Sequence, residues 1–358
     1  MRFINIVDSA STFNFGVWNA AVINAGLLKD AGIKTELWYM GVDKVALPDV
    51  DAINITDPGY KALEILISTR QLHADQDIII TSGVWRYPTR WGAFLKAKGF
   101  QWIFVPQGML EPWPLKQKWL QKKIYFNILE KHLARKATLI RAVSKPEVKN
   151  LKRFFPRNRI EFIPNGVQAA NKNIKGTDIL PKVTGYLFLS RLHHKKNVVA
   201  LAKAWVSSKL NNDPLFQLTI AGPDQGELAK LQPIISSSGN LRYVGVVKGA
   251  AKDSLFNEST FYILPSFSEG LPSALLEAMA RGIIPIITEG CNFPDVFEHD
   301  LGIRITTEKL SIQLGLEDSS AWDYGTIAEK SRQCRNLIQS QYSLEAVTRR
   351  QLQAYIGY

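Results

Sequence analysis

The chain has 358 residues, 46% hydrophobic and 21% charged, with 44 Lys and Arg against 32 Asp and Glu. That length points to two domains of about 150–200 residues each, and near-average composition excludes collagen-like, coiled-coil and disordered chains. Cys291 and Cys334 lie far apart without metal-ligand spacing, and no apolar run approaches the roughly 20 residues that cross a bilayer, so a reducing, cytoplasmic setting is expected.

In chain order, MRFINIVDSA has one basic residue and too short an apolar run for a secretory signal, so it reads as the first strand. FINIV (3–7), DIIIT (77–81), QWIFVP (101–106), TLIRAVS (138–144) and IEFIP (160–164) follow as buried strands. Between them, VWNAAVINAGLLKDAG and TRWGAFLKAKG have helical periodicity with glycine at their ends. Such alternation implies a parallel sheet covered on both faces. Residues 1–167 are expected as the first domain and the polar stretch 168–184 as a linker. A second alternation, with strands at GYLFLSR (185–191), FQLTIAG (216–222), LRYVGVV (241–247), TFYILPS (260–266) and GIIPIIT (282–288), gives a second domain over 185–338. Residues 339–358 are expected as a helix returning to the first domain. In two successive doubly wound domains, ligands bind beyond the carboxyl ends of the strands, in a cleft between them.

The stretch SFSEGLPSALLEAMARG (266–282) carries the most specific chemistry. Pro272 suits the start of a helix and Gly282 the residue after its end. The exposed N–H groups of that helix start favour an anion, and Gly270 allows close approach of a phosphate. Glu269 in the approach loop and Glu277 on the second turn offer carboxylates that accept hydrogen bonds from vicinal hydroxyls. Taken singly, each would be an ordinary solvated charge; the surrounding strand, Gly-Leu-Pro and helix give them a common purpose. In FLSRLHHKKNVVALAKAW (188–205), Arg191 ends a strand and Lys196 follows five residues later, a pair suited to a diphosphate. His193, His194 and Lys195 read as surface groups.

With these residues together the chain resembles the family 4 retaining glycosyltransferases of GT-B fold, two doubly wound Rossmann-like domains facing a central cleft, and in particular bacterial members that build surface polysaccharides. The resemblance rests on Glu269 and Glu277, on Arg191 and Lys196, on AGPDQGE (221–227) and PNGV (164–167), and on SGVWRYPT (82–89) with PQGMLEPW (106–113). It implies that Arg191 and Lys196 bind the donor diphosphate, that Glu277 binds the ribose, and that Glu269 with Gly270, Leu271, Pro272 and Ser273 holds the transferred sugar and phosphates. Gly16, in a loop after the first strand, is implied to lie near the phosphates, and Val246 near the base. Trp85, Arg86, Met109 and Trp113 are acceptor-contact candidates. Where many relatives have a histidine that touches the donor sugar, this chain has Gln107, which can hydrogen-bond a hydroxyl but cannot act as acid or base.

The implied activity moves a hexose-type sugar from a nucleotide-diphosphate sugar, UDP- or GDP-linked, to a glycan or lipid-linked acceptor. No cofactor and no metal are expected, since no Asp-x-Asp element stands in a metal-binding context. A weakened relative that only binds a nucleotide sugar, or a GT-B epimerase, are the alternatives. The charge is uneven: residues 116–159 hold 14 Lys and Arg against Glu130 and Glu147 alone. If that segment is helical, Leu115, Trp119, Phe126, Leu129 and Leu133 share a face ringed by Lys116, Lys118, Lys122 and Lys123. Such a surface suits the anionic cytoplasmic leaflet, so a peripheral position on the inner membrane is expected. No recognition-helix, RRM or zinc-finger signature supports nucleic-acid binding, and DSASTFNFG lacks the glycine pattern of a dinucleotide fold.

Overall fold

The computed structural model describes residues 1–11, 14–41, 45–113, 124–168 and 183–357. The chain forms two units, Met1–Gly166 with Leu344–Tyr358, and Val167–Ser343. Residues 169–182 of the expected linker lie outside the described residues.

The first unit is built on seven strands: β1 (Arg2–Ser9), β2 (Lys34–Met40), β3 (Val50–Asn54), β4 (Ile78–Ser82), β5 (Gln101–Val105), β6 (Leu139–Ala142) and β7 (Ile160–Phe162). Their order is β3-β2-β1-β4-β5-β6-β7 and every pairing is parallel; at the sheet centre Phe3 lies between Thr35 and Ile78. Helices cover both faces, so the central strands read as unbroken apolar runs rather than alternating ones. β4 and β6 are buried along their whole length.

The second unit repeats the scheme with β8 (Thr184–Leu189), β9 (Phe216–Ala221), β10 (Leu241–Tyr243), β11 (Phe261–Leu264), β12 (Ile284–Thr288) and β13 (Ile303–Ile305), in the order β10-β9-β8-β11-β12-β13. In each sheet the strand order reverses once, between β1 and β4 in the first and between β8 and β11 in the second. Loops leaving those strands at their carboxyl ends diverge to opposite faces and leave room for a ligand.

Several elements depart from the sequence expectations. β2, β3 and β13 carry charges inside the run, which hides them from an apolar scan. In β2 the charge is Glu36, 3% exposed, which accepts from Arg70 and from Trp38 Nε1 at 2.9 Å. The expected strand 241–247 ends at Tyr243. The helical stretch after β1 divides into Phe15–Val22 and Ala25–Asp30. The division falls at buried Asn24, whose amide donates to Thr348 Oγ1 at 2.9 Å and Gln351 Oε1 at 3.0 Å. Both acceptors lie on the C-terminal helix Leu344–Ile356, which also accepts from Gln101 Nε2 at the Tyr355 carbonyl. Residues 339–343, expected with that helix, belong instead to the second unit, as does Val167.

Candidate active site

In the second unit the loops after β8, β11 and β12 converge on one buried ion pair. Lys196 Nζ donates to Glu269 Oε1 at 2.5 Å, with the residues 8% and 7% exposed. Ser266 Oγ donates to the same carboxylate oxygen at 2.6 Å. Burial works against the charge of Glu269, but Lys196, Lys195 and Ser266 outweigh it and hold the carboxyl below its usual value.

The main chain around the pair is fixed with equal care. Glu269 N–H donates to the Gly290 carbonyl at 2.7 Å, and Asn292 Nδ2 donates to the Glu269 carbonyl at 2.6 Å. Gly290 is required there, because a Cβ would sit 2.6 Å from the carbonyl oxygens of Ser266 and Phe267. On the other side, Phe267 N–H donates to the Lys195 carbonyl at 2.9 Å, locking the β11 loop to the Lys196 turn. That turn is a single 3₁₀ coil over His194–Lys196, capped by His193 Nδ1, which accepts from Lys195 N–H at 3.1 Å. His193, partly exposed, is therefore a structural acceptor as well as a surface group. Burial, with His194, Arg191 and the lysines around it, lowers its pKa and favours the neutral ring that this bond requires.

Arg191 stands at the exposed end of the same loop. The loop AGPDQGE is latched to it: Leu192 N–H donates to the Pro223 carbonyl at 2.8 Å and Gln225 N–H to the Leu192 carbonyl at 2.9 Å. A Cβ at Gly222 would meet the Ser190 carbonyl at 1.9 Å, so only glycine allows this approach.

After β11 the chain runs through Gly270 and Leu271 to the helix Ser273–Ala280, with Pro272 as its N-cap residue and no side-chain cap. No acidic residue lies in its first turn, so its opening N–H groups remain available to an anion. Glu277, on the second turn, pairs with Lys252 and is partly exposed. The helix is followed by Gly282 with φ 80, the left-handed glycine expected there. Val246 is 59% exposed in the loop after β10, beside Gly245 with φ 74.

In the first unit the corresponding loops are those after β1, β4 and β5. Gly16 is not in a loop; it is the second residue of the helix Phe15–Val22, exposed and with open space around it. Arg86 Nη1 donates to Asp8 Oδ2 at 3.3 Å, joining the ends of β4 and β1. Trp85 takes a left-handed backbone, φ 86, and its ring lies 6.3 Å from Tyr125 and 6.2 Å from Phe126. Met109 turns inward, where its Sδ accepts from Val84 N–H at 3.4 Å. Trp113 is half-buried. Gln107 and Gly108 both have positive φ, 57 and 74.

Two residues that the sequence reading does not single out hold that last turn: Glu147, which ends a Ser-x-x-Glu helix start at Ser144, and Asn165 of PNGV. Glu147, 1% exposed, accepts from Gly108 N–H and from Val143 N–H, both at 2.7 Å, and so ties the β5 loop to the β6 loop. Asn165 Nδ2 donates to Gln107 Oε1 at 3.0 Å. Local sequence marks both positions but does not reveal their partners Gly108 and Gln107, which lie 39 and 58 residues away.

Residues 41–166 match the family described as Glycosyl transferase 4-like domain, and residues 171–312 match that described as Glycosyl transferases group 1. The chain belongs to the family 4 type of glycosyltransferase. Its fold is GT-B. Sucrose-phosphate synthase from Thermosynechococcus elongatus superposes with a TM-score of 0.76 at 16% identity, over 99% of this chain and 98% of that one. Anabaena Alr3699/HepE, solved with UDP and glucose, gives 0.75 at 14% identity over 99% and 100%. Among curated proteins, the amylovoran biosynthesis glycosyltransferase AmsK of Erwinia amylovora is 27% identical over 156 residues, 41% of this chain but only 38% of that relative.

Elsewhere in this glycosyltransferase, Asp295, Glu298 and His299 form a group with metal-ligand spacing among the described residues, with Asp295 buried and the other two exposed. Lys196 and Glu269 are not part of it. Among the described residues, no helix is long and apolar enough to cross a membrane.

Proposed function

We propose that this glycosyltransferase moves a hexose-type sugar from a UDP- or GDP-sugar, with retention of anomeric configuration, to a glycan or lipid-linked acceptor in surface-polysaccharide assembly. The observation that carries the reading is the buried Lys196–Glu269 pair beside the uncapped start of Ser273–Ala280. A cation, a carboxylate and free N–H groups at one strand-order reversal suit a ligand that joins a diphosphate to a polyol.

In the reaction, the bond between the anomeric carbon and the leaving phosphate oxygen breaks as the acceptor oxygen bonds to the same face. Negative charge grows on the diphosphate, where Lys196, Arg191 and the helix N-terminus stabilise it. The departing phosphate oxygen takes the acceptor proton, so Gln107 in place of a histidine is compatible with turnover. Glu269 with the Gly270–Leu271 main chain holds sugar hydroxyls. Glu277 takes the ribose by exchanging its partly exposed Lys252 partner, a pair of the kind worth little in water. With two cations assigned to the diphosphate, the scheme uses no metal.

UDP in the HepE structure and UDP-2-fluoro glucose in the Escherichia coli trehalose-6-phosphate structure support a nucleotide-sugar donor. The amylovoran relative supports a polysaccharide product. Donor hydrolysis and transfer in Arg191→Ala, Lys196→Ala and Glu277→Ala test the reading. Each variant should fall at least about tenfold, and wild-type rates in all three would sink it.

The acceptor side and the membrane belong to the same proposal. Residues Leu115, Lys116, Lys118, Trp119, Lys122 and Lys123 lie outside the described residues. Beyond them, Phe126 and Leu133 pack into the core while Ile124 and Ile128 stand 51% and 71% exposed. Lys131 and Arg135 continue that line at helical spacing. An apolar ridge flanked by cations favours the anionic face of the inner membrane and a lipid-linked acceptor. Ile128→Glu should lower binding to phosphatidylglycerol vesicles about fivefold or more while leaving neutral-vesicle binding low throughout. Equal binding of wild type to neutral and anionic vesicles would refute docking by charge.

A further inference from the structure

The Gln107 side chain is oriented from behind by two buried residues. Arg141, 4% exposed on β6, offers hydrogen-bond donors and no acceptor. It donates to the carbonyl oxygens of Ile163 at 2.8 Å and Pro164 at 2.6 Å, and to Asn165 Oδ1 at 3.3 Å. Facing a group that can only donate, the Asn165 amide must turn its oxygen toward Arg141 and its nitrogen away. Asn165 Nδ2 then donates to Gln107 Oε1 at 3.0 Å. This second bond orders the next amide in the same way. With its oxygen engaged, Gln107 has its Nε2 turned outward, and no described residue accepts from it. An arginine at the head of the relay thus decides which end of each amide is oxygen and which is nitrogen.

The main chain beneath the side chain is equally constrained. Gln107 and Gly108 have left-handed backbones, and Glu147 accepts from Gly108 N–H at 2.7 Å. Neither the backbone nor the amide is therefore free to reverse the polarity that Gln107 presents.

From this relay we infer that Asn165 is a positioning residue that makes Gln107 a hydrogen-bond donor, selecting an accepting oxygen on the substrate sugar. The inference rests on the donor-contact reading of Gln107 given above. A ring or carboxylate oxygen satisfies it, as does a hydroxyl whose own proton is already donated to another group; a substrate group that can only donate does not.

Asn165→Asp reverses the relay with little change of shape. The new carboxylate pairs with Arg141 and accepts from Gln107 Nε2, which turns the Gln107 oxygen outward. The probe is the fastest-hydrolysed member of a panel of UDP-, GDP-, ADP- and dTDP-hexoses, together with the matching nucleoside diphosphate alone. Asn165→Asp should melt at or above the wild-type temperature, bind the nucleotide alone within about twofold of wild type, and hydrolyse the sugar nucleotide about tenfold more slowly or worse. Asn165→Ala, which loses both bonds, should melt lower and yet be no slower than Asn165→Asp. In a Gln107→Met background, Asn165→Asp should have no further effect on rate. Wild-type hydrolysis by Asn165→Asp, or a full additional loss in the Gln107→Met background, would overturn the inference while leaving the donor reading intact. Failure of wild type to bind or hydrolyse any of the panel would overturn the donor reading and the inference with it.

Discussion

Lys196→Met is expected to slow sugar transfer by about 10²–10³-fold, the loss that follows removal of one preorganised group facing transition-state charge. It should also cost roughly 3 kcal/mol of stability, because Glu269 would remain buried without its main counter-charge. The two losses separate in a double variant. Lys196→Met with Glu269→Gln removes both charges, so urea unfolding should recover most of the stability while turnover stays low. A double variant as unstable as the single one would show that the pair is not what fixes these loops. The pH dependence follows from the sign of the shift. In the wild type Glu269 is held below the usual carboxylate value of 4.5, so its contribution is present above that pH and is lost as the pH falls through the lower folded value. In Lys196→Met burial dominates, the folded value rises, and stability should instead decline as the pH increases.

Glu147→Gln should lower turnover about tenfold and change the pH profile of stability. Both partners of this carboxylate are N–H groups, from Gly108 and Val143, and an amide in its place offers one acceptor and one conflicting donor. One buried N–H is then unsatisfied, a loss on the order of 1–3 kcal/mol. Burial, aided by Glu111, pushes the Glu147 carboxyl up from 4.5 to about 7 despite the two N–H bonds and the charge of Arg141. A raised carboxyl binds its proton more tightly folded than unfolded, so wild-type stability should decline as the pH rises from about 4.5 to about 7, by roughly 3 kcal/mol. Glu147→Gln should flatten that slope. Urea midpoints measured at about pH 5, about pH 6 and about pH 7 decide it; parallel slopes for both proteins would rule out Glu147 as the titrating group.

Much of the site is legible without any knowledge of the fold. Glu269, Pro272, Glu277 and Gly282 sit on one strand-loop-helix, where local rules for helix ends apply, and the structure places them accordingly. Gly16 is misread from sequence because a glycine after a strand resembles a loop, whereas here it opens a helix. His193 is partly exposed, in keeping with a surface group, but its cap bond to Lys195 N–H gives it a local role that the run of polar side chains does not announce. β2 escapes notice because a charged residue inside an apolar run counts against a strand, and the counter-charge for Glu36 comes from the distant Arg70.

The sequence by itself determined the two alternating β/α units and the motif-bearing loops of the second, since periodicity, helix-end residues and glycine placement act over a few residues. Tertiary structure decided what those loops hold and how tightly. Lys196 meets Glu269 across 73 residues, Glu147 meets Gly108 across 39, and Asn24 meets the C-terminal helix across 324. Such pairings depend on parallel strand order, which brings the loops after β8, β11 and β12 to one edge. A buried charge or amide also acquires its meaning only from the groups that surround it after folding.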